Sequence, residues 1–195
     1  MRKRFKLLTL LMALLLAFAL LAGCGGSGDA SDELEEILEE AAAFIGARAN
    51  ELPDWWGDLH VALIESEEAE DFEGFEDLQA VLNGFAHASG FDYIYALYPT
   101  NPDVPVVAPW MLTVDGSFEA GPFGEEYDWE EGFTAAWEGD VAVADYLWIT
   151  DDGWYALSAY APVYDSAGEV VAIIGIDYPV PDDVAEANDD WIWIE

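Results

Sequence analysis

The chain has 195 residues, 53% hydrophobic and 14% aromatic, enough to bury a sizeable core in a single domain. Its 41 acidic residues against 5 basic ones give a formal net charge of −36, and Arg2, Lys3, Arg4 and Lys6 precede every acid. From Cys24 onward Arg48 is the only base, which argues against nucleic acids, polyanionic ligands and electrostatic docking on anionic lipid, since all three need Lys or Arg.

Residues 1–23 join a basic start to an apolar run, Leu7 to Ala22, and then to Leu21-Ala22-Gly23-Cys24. A charged segment, an apolar stretch and a small-residue cleavage site are the layout of a secretory signal peptide. The run is shorter than the roughly 20 residues a bilayer-spanning helix needs. Leu-Ala-Gly-Cys resembles the lipobox of bacterial lipoproteins. That resemblance implies cleavage before Cys24, a diacylglycerol on its sulfur, and attachment to a cell membrane on its extracytoplasmic face, outer leaflet or periplasmic. Cys24 is the sole cysteine, so no intramolecular disulfide is expected. Residues 24–30, with Gly25-Gly26-Ser27-Gly28, read as a flexible tether.

An amphipathic helix is predicted over Asp32 to Arg48, where Leu34, Ile37, Leu38, Ala41, Phe44 and Ile45 follow helical spacing and Asp32 serves as N-cap. Pro53 starts a second helical piece with Trp55, Leu59 and Leu63 on one face, and the acidic stretch Glu65 to Glu73 reads as a loop. A third helix spans Phe75 to Ser89 and stops at Gly90. The period then changes to two: Phe91 to Tyr98 and Val106 to Val114 are predicted strands, Pro109 marking an edge or a bulge in the second. Residues 115–127 read as loop and Asp128 to Gly139 as a short helix with Phe133 and Trp137 inward. Asp140 to Thr150, Trp154 to Tyr164 and Glu169 to Tyr178 form an antiparallel meander, with turns at Asp151-Asp152-Gly153 and Asp165-Ser166-Ala167-Gly168. The acidic, Trp-rich tail, residues 181–195, either pairs with an edge or packs back. This order gives an α+β fold: a long N-terminal helix and an antiparallel sheet of about five strands with helices on one side.

Trp154 to Tyr178 also carries a family likeness. Ala161-Pro162-Val163, then Asp165-Ser166-Ala167-Gly168, then Gly175-Ile176-Asp177 are similar to the signature of Cache domains, PAS-like extracytoplasmic sensors of bacterial receptors. Phe91 to Tyr95 resembles the family's first strand and Gly124 to Asp128 its pre-helix loop, so the likeness covers about residues 31–180. It implies a PAS-like sensor domain that binds a small molecule in a cleft on the sheet and passes a change of shape to the membrane. In amino-acid-binding members an Arg within a Trp/Tyr-rich stretch grips the carboxylate and an Asp ending the last strand grips the amino group. Asp177 matches that Asp. Trp129 lies in the corresponding stretch, yet no Arg is near it, which favours a cationic, amine-bearing or neutral ligand. Family members usually continue into a transmembrane helix and an output module; this chain reaches Glu195 without one, so signal transduction would run through a separate membrane receptor or kinase.

Asp177 shares a strand face with Val171, Ile173 and Gly175, where a carboxylate is costly unless paired; turn capping or a backbone bond is the alternative use. Tyr95, Trp110, Trp129, Tyr146, Trp148 and Tyr155 are candidate cleft walls, with ordinary packing as the alternative. His60 and His87 have no metal-spaced partners and are expected to decorate helices. The acids are scattered rather than set out as calcium loops, which favours a solvated, salt-adapted surface over cation binding. No cofactor motif and no nucleophile–base constellation is present, so no enzyme is expected. The reading is a lipid-anchored ligand-binding sensor module. The alternative is a non-catalytic surface lipoprotein that uses the same scaffold for protein–protein contact, and a hydrolase ranks third.

Overall fold

The computed structural model describes residues 30–65, 72–89, 93–99, 110–115, 126–129, 131–150 and 153–192. Helices α1 (Ala30–Ala49), α2 (Asp54–Glu65) and α3 (Phe75–Ser89) come first. Strands β1 (Ile94–Pro99), β2 (Trp110–Asp115) and β3 (Glu126–Asp128) precede helix α4 (Glu131–Trp137). Then follow β4 (Ala142–Val143), β5 (Trp148–Ile149), β6 (Tyr155–Tyr164), β7 (Val170–Val180), α5 (Asp182–Ala187) and a 3-10 turn at Asp189–Trp191. The fold is α+β, as expected. The lipobox, the tether and the loop preceding α3 lie largely or wholly outside the described residues.

One antiparallel sheet runs in the order β3-β2-β1-β7-β6-β4, with β5 also paired to β6. The last strand therefore sits at the centre, between the first and the sixth, where ladders on both sides hold it. Among the described residues the sheet has seven strands where about five are expected, because β3 is an added short edge strand and the strand expected over Asp140 to Thr150 is broken into two-residue pieces. The break has a long-range cause: the Leu147 amide donates to the Trp191 carbonyl, 2.7 Å, and Leu147 bridges Ile192 in parallel. The described part of the tail does both things expected of it as alternatives: Ile192 pairs with Leu147, and Trp191 and Ile192 pack against the core.

Alternation along the strands sorts side chains onto two faces. Ile94, Ala96, Tyr98, Leu157, Ala159, Val163, Ala172, Ile174 and Ile176 pack with Leu34, Ile45, Trp56, Leu78 and Leu82 under the three long helices. The opposite face carries Leu97, Tyr160 and Ile173, covered by Phe133 and Ala136 of α4. The long helices thus lie on one side, and the short helix caps part of the other.

Helix α2 corrects the face expected for it, which had Trp55 beside Leu59 and Leu63. Trp56, His60 and Leu63 point inward, whereas Trp55 is 49% exposed. Indole Nε1 of Trp56 donates to the Leu78 carbonyl, 3.1 Å, joining α2 to α3. Gly57 lets the helix touch the β6–β7 hairpin, since a Cβ there would overlap the Tyr164 carbonyl. His60 corrects the expectation of a surface residue. It is fully buried, edge-on to Trp56 with ring centroids 4.4 Å apart, and neither ring nitrogen has a partner. His87 is exposed on α3, as expected.

Candidate ligand-binding site

Asp177 lies near the end of β7, on the face away from the long helices, and is 7% exposed. Register explains its partners. Ser158 of β6 is directly opposite Asp177, and Tyr95 of β1 is opposite Gly175. Directly opposed residues share a face, so both hydroxyls stand beside the carboxylate. The Ser158 hydroxyl donates to Asp177 Oδ1 at 2.9 Å and the Tyr95 hydroxyl to the same oxygen at 3.0 Å. Indole Nε1 of Trp148 donates to Ser158 Oγ at 3.2 Å, fixing the serine. Buried carboxylates need such donors, and hydrogen bonds to an ionised acceptor are the stronger kind.

Gly175 shapes the floor. The Tyr95 ring lies so close over it that a Cβ at position 175 would run into the ring. At the strand-end rim, Tyr93 and Trp154 have ring centroids 5.7 Å apart, and the Asp177 amide donates to the Tyr93 carbonyl, 3.2 Å. Parity along β1 and β6 sets both rings on the Asp177 face. Farther along the face α4 fills the space: the Phe133 ring meets Tyr160 edge-on at 4.8 Å, and Trp129 meets Phe133 at 6.1 Å while its Nε1 donates to Thr134 Oγ1 at 2.8 Å. A cavity of about 290 Å³ opens beside this plug, between α4 and β4, with Glu131, Asp145 and Tyr146 on its wall. It is at the lower limit of ordinary ligand pockets.

The candidate residues therefore divide. Asp177, Tyr95 and Trp148 belong to one bonded cluster. Trp129 fastens α4, and Tyr146 lines the neighbouring cavity. Trp110 opens β2 opposite Asp128, and its side chain is outside the described residues. Tyr155 is a correction: it packs into the core under the long helices, because odd positions of β6 face that way. Its neighbour Trp154 is the aromatic on the site face. Ser158 was missed, although a lone hydroxyl inside Ala156-Leu157-Ser158-Ala159 carries the same signal as a lone acid in an apolar strand.

Arg48 stands on the far side of the sheet. Its guanidinium lies over Phe44 and Phe85, 5.3 and 5.7 Å from the ring centroids, and pairs with Glu51 at 2.7 Å. No described base faces Asp177. Among the described residues no group of three or more His, Cys, Asp or Glu is placed to hold a metal ion, and no helix is long and apolar enough to cross a membrane.

Neither a protein-family model nor a curated protein matches the chain. Solved structures of similar shape include the periplasmic sensory domain of the Campylobacter jejuni chemoreceptor Tlp1, at 12% identity and TM-score 0.44, covering 80% of this chain and 59% of that one. The extracellular domain of soHK1S-Z6, described as a putative histidine kinase, is similar at 14% identity and TM-score 0.45, covering 83% and 60%. The ligand-binding domain of the Pseudomonas aeruginosa amino-acid chemoreceptor PctC, in complex with GABA, is similar at 14% and TM-score 0.39, covering 80% and 63%. The chain thus spans about three fifths of the length of these domains.

Proposed function

We propose that this chain is a lipid-anchored, extracytoplasmic small-molecule-binding module of the Cache type, which acts through a separate membrane partner. The observation that carries the reading is Asp177: a carboxylate nearly closed off from solvent, held by Ser158 and Tyr95 beside the Tyr93–Trp154 rim. Catalysis would need a nucleophile with its base, and a structural acid would not need an aromatic approach. The ligand suited to this surface is cationic or amine-bearing. Aromatic faces and a carboxylate both favour cations, and no described arginine faces Asp177 to take a ligand carboxylate.

Cys24 supplies the anchor in this reading and residues 24–30 the tether. A route from the site to the tether is supported by two contacts of α1. The Tyr178 hydroxyl, next in sequence to Asp177, donates to Glu40 Oε2 at 3.0 Å. The Asn188 side chain donates to the carbonyl of Ala30, the first residue of α1, at 3.1 Å. The alternative, a non-binding scaffold for protein contact, is favoured by one observation: Phe133, Tyr160, Leu97 and Ile173 fill the middle of the same face.

Thermal-shift measurements on the mature chain against amines, amino acids and carboxylates test the choice. A ligand that binds only the folded state adds about 2.7 kcal/mol of stability at a hundred times its Kd. Amines should raise the melting temperature of the wild type and leave Asp177→Asn unmoved. No shift with any class, at low and at high salt, would favour the scaffold.

A further inference from the structure

Tyr95 occupies the site in a particular way. It is the register partner of Gly175, so its side chain crosses that residue directly, and the missing Cβ leaves a slot that the ring fills. From there its hydroxyl reaches Asp177 Oδ1, two residues farther along β7. A flat apolar body on the glycine and a donor on the acid are the two features an amine on a slender apolar body would present. We infer that Tyr95 is an internal stand-in for the ligand, a gate that must swing off Gly175 and Asp177 before a cationic amine can take its place; this rests on the binding reading above.

The two donors to Oδ1 differ in how firmly they are held. Ser158 is 5% exposed, sits on a strand laddered on both sides, and is fastened by Trp148. Tyr95 is only partly buried, and rotation about its side-chain bonds moves the ring while the backbone stays paired to Gly175 and Asp115. The gate therefore opens at Tyr95 while Ser158 keeps the carboxylate in position.

The exchange is also selective. A neutral alcohol of the same shape replaces one neutral donor by another and still loses translational and rotational freedom, so it gains nothing. An ammonium replaces a neutral donor by a charged one at a poorly hydrated carboxylate, and that difference drives the swing. The gate makes the site a discriminator of charge rather than of shape alone.

Benzylammonium carries a ring and a cation in this arrangement, and benzyl alcohol is its uncharged counterpart. Titration calorimetry on the mature chain should find benzylammonium binding to the wild type, no binding of benzyl alcohol, and no binding of either to Asp177→Asn. Tyr95→Phe removes the competing hydroxyl and should bind benzylammonium about tenfold more tightly, the loss of one hydrogen bond to a charged group. In the wild type, isotope-labelled tyrosine should report a change in the Tyr95 ring resonances as benzylammonium is added. Unchanged or weaker affinity in a folded Tyr95→Phe overturns the gate and leaves the site standing. So does a Tyr95 ring that does not respond at saturation in the wild type, whatever the variant does. Absence of benzylammonium binding from both proteins overturns the gate together with the amine reading.

Discussion

His60 makes acid stability a sharp test of the packing around α2. Its ring is fully buried between Trp56 and Tyr98, with centroids 4.4 and 6.3 Å away, and burial lowers its pKa from about 6.5 to about 3. In the unfolded chain the imidazole takes up a proton below about 6.5, whereas in the folded protein it stays neutral until about 3. Between those values the unfolded state binds the extra proton, so stability falls as pH falls. Each pH unit in that window costs up to about 1.4 kcal/mol, or about 2 kcal/mol between pH 6.5 and 5. The carboxylates also titrate toward the acid end and relieve repulsion as they do, but that contribution is common to wild type and variant. Urea denaturation of both proteins at pH 7, 6 and 5, at fixed ionic strength, isolates the histidine. His60→Phe keeps a ring against Trp56 and removes two unpartnered nitrogens, so at pH 7 it should be neutral or stabilising. Its advantage over wild type should then widen by about 2 kcal/mol by pH 5. Parallel pH curves for the two proteins would mean that the ring has access to water or to a carboxylate, and would refute the packing described for α2.

Three further outcomes follow from other parts of the molecule. Gly57→Ala puts a methyl group against the Tyr164 carbonyl and should destabilise the fold by about 1–3 kcal/mol in urea titrations, with the midpoint and not the slope changing. The formal charge of −36 should make the melting temperature climb as KCl rises from 0.01 to 1 M, because the screening length shrinks from about 30 to about 3 Å; a flat response would mean that self-repulsion is not limiting stability. On the lipid-anchor reading, radiolabelled fatty acid should be incorporated into the wild type in a bacterial expression host and not into Cys24→Ser, and labelling of neither protein would argue against lipid anchoring.

The bounds of helix α3 were legible residue for residue, since Phe75, Leu78, Leu82 and Phe85 repeat at helical spacing and Gly90 follows. The β6–β7 hairpin was equally plain: Gly168 takes φ 85°, and the Asp165 carboxylate accepts from the amides of Ala167 and Glu169, both at 2.9 Å. Local chemistry decides such features. The split between β4 and β5 was not legible, because Leu147 finds its partners at Trp191 and Ile192, far away in sequence. Nor could periodicity tell which side of the sheet α4 would cover. Asp177 stood out as a lone acid after Ile173-Ile174-Gly175-Ile176, and Tyr95 and Trp148 were named as aromatics, but their bonds to Asp177 and Ser158 depend on strand register, which periodicity does not give. Tyr155, named as a cleft wall, lies one residue from Trp154, and one residue along a strand moves a side chain to the opposite face.

The same alternation bears on how such a module would report a bound ligand. Asp177 and Tyr178 are consecutive, so one faces the site and the other faces α1 across the sheet. Burial, and then the bond and charge of Glu40, push the Tyr178 pKa up to about 12, so its hydroxyl remains a donor to Glu40 across the physiological range. In the proposed binding mode, a ligand that draws Asp177 outward would twist the peptide unit it shares with Tyr178 and bear on that bond. Glu40 sits roughly 15 Å along α1 from Ala30, where Asn188 clasps the helix start. The helix is held by its first residue and met near its middle by β7, so in the proposed binding mode a displacement at β7 would tilt the end of α1 far from Ala30. Arg48 lies at that far end of α1, packed on Phe44 and on Phe85 of α3 and paired with Glu51, so a tilt there would be passed to α3.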